Sequence, residues 1–184
     1  MEDRFQRVKE CLVYENSRIQ LYDDDVRRPD GAMGKYIRLC YHGNPRGVVI
    51  VPRLPDGRLL LLRIRRYAVQ DESLEFPRGG GRPGELLEAA AERELKTETG
   101  LTSLKWSLMG YHRPDTAIVM TEVGVLLADL DSGAEHNLKP TPREAISAGI
   151  FGQVSEVWDW VRKGDIRDGF TLGALALLRA NDLL

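Results

Sequence analysis

The feature that most constrains this chain is a glycine-rich loop that runs straight into an acidic helix. Residues 75–85 read EFPRGGGRPGE, and residues 85–99 are strong helix formers that end at Gly100, a natural C-cap. Gly79, Gly80, Gly81 and Gly84 give a backbone that can fold tightly against a ligand, aiming carbonyls at a metal or amides at a phosphate. Glu94 and Glu98 are four residues apart, so their carboxylates share one helix face. Two like charges stacked there repel unless a cation sits between them, and carboxylate oxygens suit a hard cation such as magnesium. The alternative is a solvated acidic helix paired with its own arginines and lysines; the glycine loop in front of it weighs against that reading.

The surroundings predict strands. GVVIVPRL (47–54) and RLLLLRIRRY (58–67) flank the turn signal Pro55-Asp56-Gly57, and the run of leucines suits a central strand covered on both faces. Further strands are expected at 104–113, 121–130 and 144–152, a surface loop at 131–142, and closing helices at 154–164, capped at or beside Ser155, and 171–182. Residues 1–45 alternate in short apolar runs and predict a three-stranded unit too small to stand alone. With 42% hydrophobic and 29% charged residues the chain has a core to bury. Its formal net charge of -2 offers no basic face for nucleic acid, and no apolar run is long enough for a membrane helix. Cys11 and Cys40 form no CxxC pair and read as reduced thiols, and the polar N-terminus does not resemble a signal peptide, so a cytoplasmic protein is expected.

Residues 79–101 carry the pattern G-x5-E-x7-R-E-U-x-E-E-x-G-U, where U is apolar, at Gly79, Glu85, Arg93, Glu94, Leu95, Glu98, Gly100 and Leu101. One position departs: Thr97 stands where the first glutamate of the E-E pair is expected. This resembles the box of the Nudix hydrolases. LLRIRRYA, LEFPRGG and the closing VRKGDIRDGFTLGALALL are similar to segments of the ADP-ribose and nucleotide-sugar pyrophosphatase branch, in which LEFPRGG corresponds to ELPAG. The resemblance implies an α/β Nudix fold, a mixed sheet between helices, over residues 46–184, with residues 1–45 as a small N-terminal β unit that dimerises. It implies Mg2+, with Mn2+ as a substitute, and a homodimer whose N-terminal unit completes the partner's pocket. The expected activity is hydrolysis of the pyrophosphate of ADP-ribose or a nucleotide sugar, giving a nucleoside monophosphate and a sugar phosphate.

Carried over by position, the resemblance implies that Glu94, Glu98 and the Arg78 carbonyl hold metal, and that Glu85 and Arg93 tie the helix to its loop. Arg66, Glu75, Arg78, Gly79 and Gly80 are the substrate-binding candidates, with Arg66 on a phosphate; a planar, always-charged fork suits phosphate oxygens. Glu122 is the candidate for the catalytic carboxylate of a loop after the box, and Glu144 the reserve. Thr97 opens an alternative, a nucleotide-binding or sensor protein in which hydrolysis is impaired. Tyr67 and Tyr111 are of the type that stacks on a base, although core packing is the default for each; His112 and His136 show no triad partner in the sequence.

Overall fold

The computed structural model describes residues 4–43 and 45–184. The chain divides into two compact units, Met1–Pro45 with Arg113–Glu122, and Arg46–His112 with Val123–Leu184.

The first unit is an antiparallel sheet of four strands, β1 (Gln6–Lys9), β2 (Leu12–Glu15), β3 (Ile19–Arg27) and β4 (Met33–Tyr41). Four strands replace the three expected because the first ribbon is broken: β1 pairs with one end of β3 and β2 with the other, while β4 runs along its opposite edge. At the break, the Cys11 N–H donates to Asp24 at 2.9 Å instead of to the ladder. Asp24 is buried and takes a charge-assisted bond from Arg38, whose guanidinium lies 3.8 Å over the Tyr22 ring. Residues 118–120 extend β4's edge through Leu39 N–H to Ile118 O and Met120 N–H to Leu39 O, at 2.8 and 2.9 Å.

The second unit is a seven-stranded mixed sheet: β5 (Gly47–Arg53), β6 (Leu59–Arg66), β7 (Asp71–Glu75), β8 (Arg78–Gly80), β9 (Lys105–His112), β10 (Val123–Asp129) and β11 (Ile146–Gly152). The path runs β11-β6-β5-β10-β9, with β5 and β10 parallel and the other pairs antiparallel. The stretch predicted as a glycine-rich loop, 75–85, contains β8 and the last residue of β7, for a topological reason. β5 and β6 pair only at Arg53 and Leu59, beside their hairpin, and then part. β7 fills the gap on the β6 side and β8 on the β5 side, so the fork's exposed backbone groups are paired. The fork delivers Glu75, Arg78 and Gly79 to the middle of the sheet.

Helices cover both faces. α1 (Leu87–Thr99) lies on one, α3 (Val154–Lys163) and α4 (Gly169–Ala180) on the other; a short α2 (Ala134–Asn137), with Ala134 buried, interrupts the predicted 131–142 loop. Side chains alternate along the strands accordingly. Val48, Ile50, Leu60 and Leu62 join Ala90, Ala91 and Leu95 of α1, while Val49, Val51, Leu59 and Leu61 join Val157, Ala174, Leu175 and Leu178. Gln153 and Glu156 form a capping box at the start of α3, in place of the cap expected near Ser155. Asp168 caps α4 through the Thr171 N–H at 2.9 Å, so that helix begins two residues earlier than predicted. No helix among the described residues is long and apolar enough to cross a membrane.

Candidate active site

Gly79 is a steric necessity. A Cβ there would lie 2.2 Å from the Glu94 carboxyl carbon, well inside contact distance, so only glycine lets the α1 carboxylate lie against the loop. The neighbouring Arg93 joins helix and loop. Its Nε and Nη2 donate to Glu85 at 3.0 and 2.9 Å, Nη2 also donates to the Gly80 carbonyl at 2.8 Å, and Nη1 bonds to Glu94. Glu85 accepts in addition from the Arg82 N–H at 2.9 Å. The Arg93 guanidinium holds the Glu85 carboxyl below the usual carboxylate range.

Glu98, one turn further on, is only 2% exposed and accepts the Arg78 main-chain N–H at 3.2 Å. Burial, with the carboxylates of Glu144 and Glu94 close by, pushes it up to about 8; burial raises Glu94 too. The Glu144 carboxylate lies near enough to Glu98 to help raise it. It is brought there by the end of α1, whose last carbonyls need partners outside the helix. Thr99 O accepts the Lys139 N–H at 2.8 Å, Glu98 O the Thr141 N–H at 3.1 Å, and Thr97 O the Thr141 hydroxyl at 2.8 Å. A 3-10 turn at Pro142–Glu144 follows, and Ala145 takes a left-handed φ of 56° that a residue with a Cβ adopts only under constraint. Its carbonyl accepts the Arg65 N–H of β6 at 3.1 Å, so Glu144 is held from both sides.

The fork places a second network beside the first. Glu75, 2% exposed, binds Arg66 through Nε at 3.2 Å and Nη2 at 2.7 Å, and also accepts Arg78 Nε at 3.2 Å. Arg78 Nη2 lies 3.7 Å from Asp168, and its guanidinium stacks 4.2 Å above the Phe170 ring. Arg66, Glu75, Arg78 and Asp168 line a cleft of about 410 Å³.

The pattern of glycine, staple and helix carboxylates is the geometry that the spacing of residues 79–101 anticipated, and a family model for the NUDIX domain matches residues 43–172. The chain belongs to the Nudix family. It is similar to the RNA pyrophosphohydrolase of Caulobacter vibrioides (strain NA1000 / CB15N), 51% identical over 51 residues, which is 28% of this chain and 29% of that protein. It is also similar to the ADP-ribose pyrophosphatase of Bacillus subtilis (strain 168), 30% identical over 93 residues, 50% of this chain and 49% of that one. The chain thus spans from 29% to 49% of the length of the curated relatives it matches. A solved structure, described as an ADP compounds hydrolase, shares the Nudix fold at TM-score 0.78, with 21% identity over 96% of this chain and 93% of that one.

Within this Nudix domain Arg66, Glu75, Arg78, Gly79, Gly80, Glu85, Arg93, Glu94 and Glu98 form one connected set of contacts. Glu122 lies in the 113–122 segment of the other unit, 3.6 Å from Arg113 Nη2. Thr97, at the departure from the box, is exposed, and its hydroxyl donates to the Arg93 carbonyl at 2.7 Å. Tyr67 is 90% exposed and Tyr111 is also exposed, so neither follows the core-packing default. His112 is half-buried with its Nε2 unbonded among the described residues, and burial lowers its pKa. The sequence reading passed over Asp168. Its signal was a helix cap four residues past a C-capping Gly164, but nothing local said that the cap would face Arg78.

Proposed function

We propose that this protein hydrolyses the pyrophosphate of a nucleoside diphosphate derivative, ADP-ribose or a nucleotide sugar, with Mg2+ or Mn2+, giving a nucleoside monophosphate and a sugar phosphate. The observation that carries the reading is the buried Glu98, with Glu94 and Glu144 beside it and, among the described residues, no cationic side chain bonded to it. Such a group of carboxylates is short of positive charge, and hard oxygen donors suit magnesium. Among the described residues no three acidic or histidine side chains close into a cage. An open arrangement fits magnesium, which is commonly held by one or two carboxylates with water and substrate phosphates completing its shell.

Glu94, Glu98 and the Arg78 carbonyl are the groups assigned to the metal. When bound, the metal neutralises pyrophosphate charge and makes a water more acidic. Arg93 and Glu85 hold the loop against α1, and Arg66, anchored on Glu75, binds a phosphoryl oxygen. For the carboxylate that takes the proton from the attacking water, the position of Glu144 against Glu98 supports Glu144; Glu122 stays as the second candidate. The similarity to ADP-ribose pyrophosphatase and the fold shared with an ADP compounds hydrolase support the choice of substrate. The sensor alternative rests on Thr97 alone.

Incubation with a panel of nucleoside diphosphate sugars, ADP-ribose and capped RNA plus magnesium, followed by product identification, tests the reading. Release of AMP and ribose 5-phosphate that stops on chelation is expected; nucleotide binding with no turnover would favour the sensor. The N-terminal unit, 1–45, is proposed as the dimerisation element, with Val8, Leu12, Val13 and Ile37 exposed on its strands. A homodimer is expected by light scattering, and a monomer across micromolar concentrations rejects it. The assigned compartment is the cytoplasm, where the free thiols Cys11 and Cys40 stay reduced.

A further inference from the structure

The cleft beside the Glu98 group has charged side chains along most of its lining, with Ala68 and Val69 as an apolar part of the wall. Arg66, Glu75, Arg78, Asp71 and Glu72 all line it, and no aromatic side chain does among the described residues. A nucleobase favours aromatic rings on which to stack. A sugar phosphate favours arginines for its phosphoryl oxygens and carboxylates as acceptors for its hydroxyl hydrogens.

The arginines differ in how far they are engaged. Arg167 is occupied, donating through Nη2 to Asp71 at 2.6 Å and to the Glu72 carbonyl at 3.2 Å. Arg66 meets Glu75 with Nε and Nη2, and Arg78 meets it with Nε. Nη1 of both Arg66 and Arg78 makes no hydrogen bond among the described residues, so each guanidinium keeps donors for a ligand. One buried carboxylate therefore anchors two forks, and neither is free to swing away. The Phe170 ring fixes the plane of the Arg78 guanidinium, and Asp168, committed to capping α4, sets its far end. The branch segment that LEFPRGG resembles carries alanine where Arg78 stands, so this side chain is a departure of this chain.

We infer that the cleft is a sugar-phosphate subsite in which the Arg78 side chain, beside Arg66, grips the phosphoryl group of the leaving half of the substrate. The inference rests on the pyrophosphohydrolase reading and assigns the two halves of the substrate: the phosphorylated sugar lies in this cleft and the nucleoside outside it. Arg78 is then a specificity residue, favouring substrates whose remainder is a sugar phosphate.

Two product probes test this with magnesium present, ribose 5-phosphate and AMP, each titrated calorimetrically into wild type, Arg78→Ala and Arg78→Lys. Arg78→Ala is expected to weaken ribose 5-phosphate at least about tenfold and to leave AMP within about twofold. Arg78→Lys, which keeps the charge and loses the fork, restores part of the loss. Should the alanine variant fail to fold by its melting curve, Arg78→Gln takes its place. Equal weakening of both probes shows a structural role and overturns the inference, as does unchanged ribose 5-phosphate binding or a wild type that does not bind it. Turnover is measured separately: Arg78-dependent ribose 5-phosphate binding without hydrolysis of any nucleoside diphosphate upholds the subsite and sinks the proposed activity instead.

Discussion

Two segments bring carboxylates to one place, and they are built in different ways. α1 presents Glu94 and Glu98 by helical periodicity, and Arg93 ties the helix to the loop in front of it. The segment 139–145 has no such periodicity. It carries Glu144 into place by capping the carbonyls of α1 and by the bond from Arg65 to Ala145. One carboxylate pair is a property of a helix; the third carboxylate is a property of what that helix leaves unbonded. Under the proposed function this becomes a division of labour, with α1 holding the metal and the loop supplying the base.

Glu144→Gln is the strongest way to break this comparison. If Glu144 is the base, kcat falls roughly a hundredfold while the magnesium giving half-maximal rate stays put. Wild-type turnover in this variant would return the role to Glu122. Glu98→Gln is expected to cost at least about tenfold in kcat/KM, more than about 1.4 kcal/mol, and to raise the magnesium requirement. If both variants changed magnesium dependence alike, helix and loop would not divide the work.

Stability against pH sharpens the contrast without substrate. Glu98 stands at about 8 in the folded protein, above its ordinary 4.5. A raised carboxyl stabilises the fold fully below its unfolded pKa, and that contribution is lost as pH rises through the folded value. The melting temperature of metal-free protein should therefore fall between about pH 5 and about pH 9. Glu98→Gln should flatten that fall and magnesium should reverse it; a slope shared by wild type and variant contradicts the assignment.

Thr141→Val removes the hydroxyl bond to Thr97 O and with it one of the loop's ties. A loss of about 1 kcal/mol, or roughly 2–4 °C in Tm, is expected. A lower kcat should accompany it, because Glu144 loses its seat; an unchanged kcat means that the remaining ties suffice. The smallest effect belongs to Thr97→Glu. The side chain is exposed beside Glu98, so the new carboxylate is well solvated. Half-maximal magnesium should drop by roughly twofold with little change in Tm, since exposed charges interact by only tenths of a kcal/mol.

The glycine loop, α1 and the Glu85–Arg93 tie were legible because each depends on residues within about two helical turns of one another. The buried strands β5, β6 and β10 were legible from apolar runs bounded by turn signals. β7 and β8 were not. The glycines of β8 and Pro77 between the two read as loop, and β7 and β8 are strands only because β5 and β6 part and leave backbone groups to pair. The break between β1 and β2 was hidden likewise, since it depends on Asp24 of a different strand.

By itself, the sequence determined that Glu85, Arg93, Glu94 and Glu98 come together, because spacing along a helix is spacing in space. Only the tertiary structure decided which residues meet them: Glu144 against Glu98, two arginines on Glu75, and Asp168 facing Arg78. These contacts join positions 46, 9, 3 and 90 apart, and the reason they form is the demand of buried carboxylates and open helix ends for partners. That demand names no partner until the sheet has been assembled.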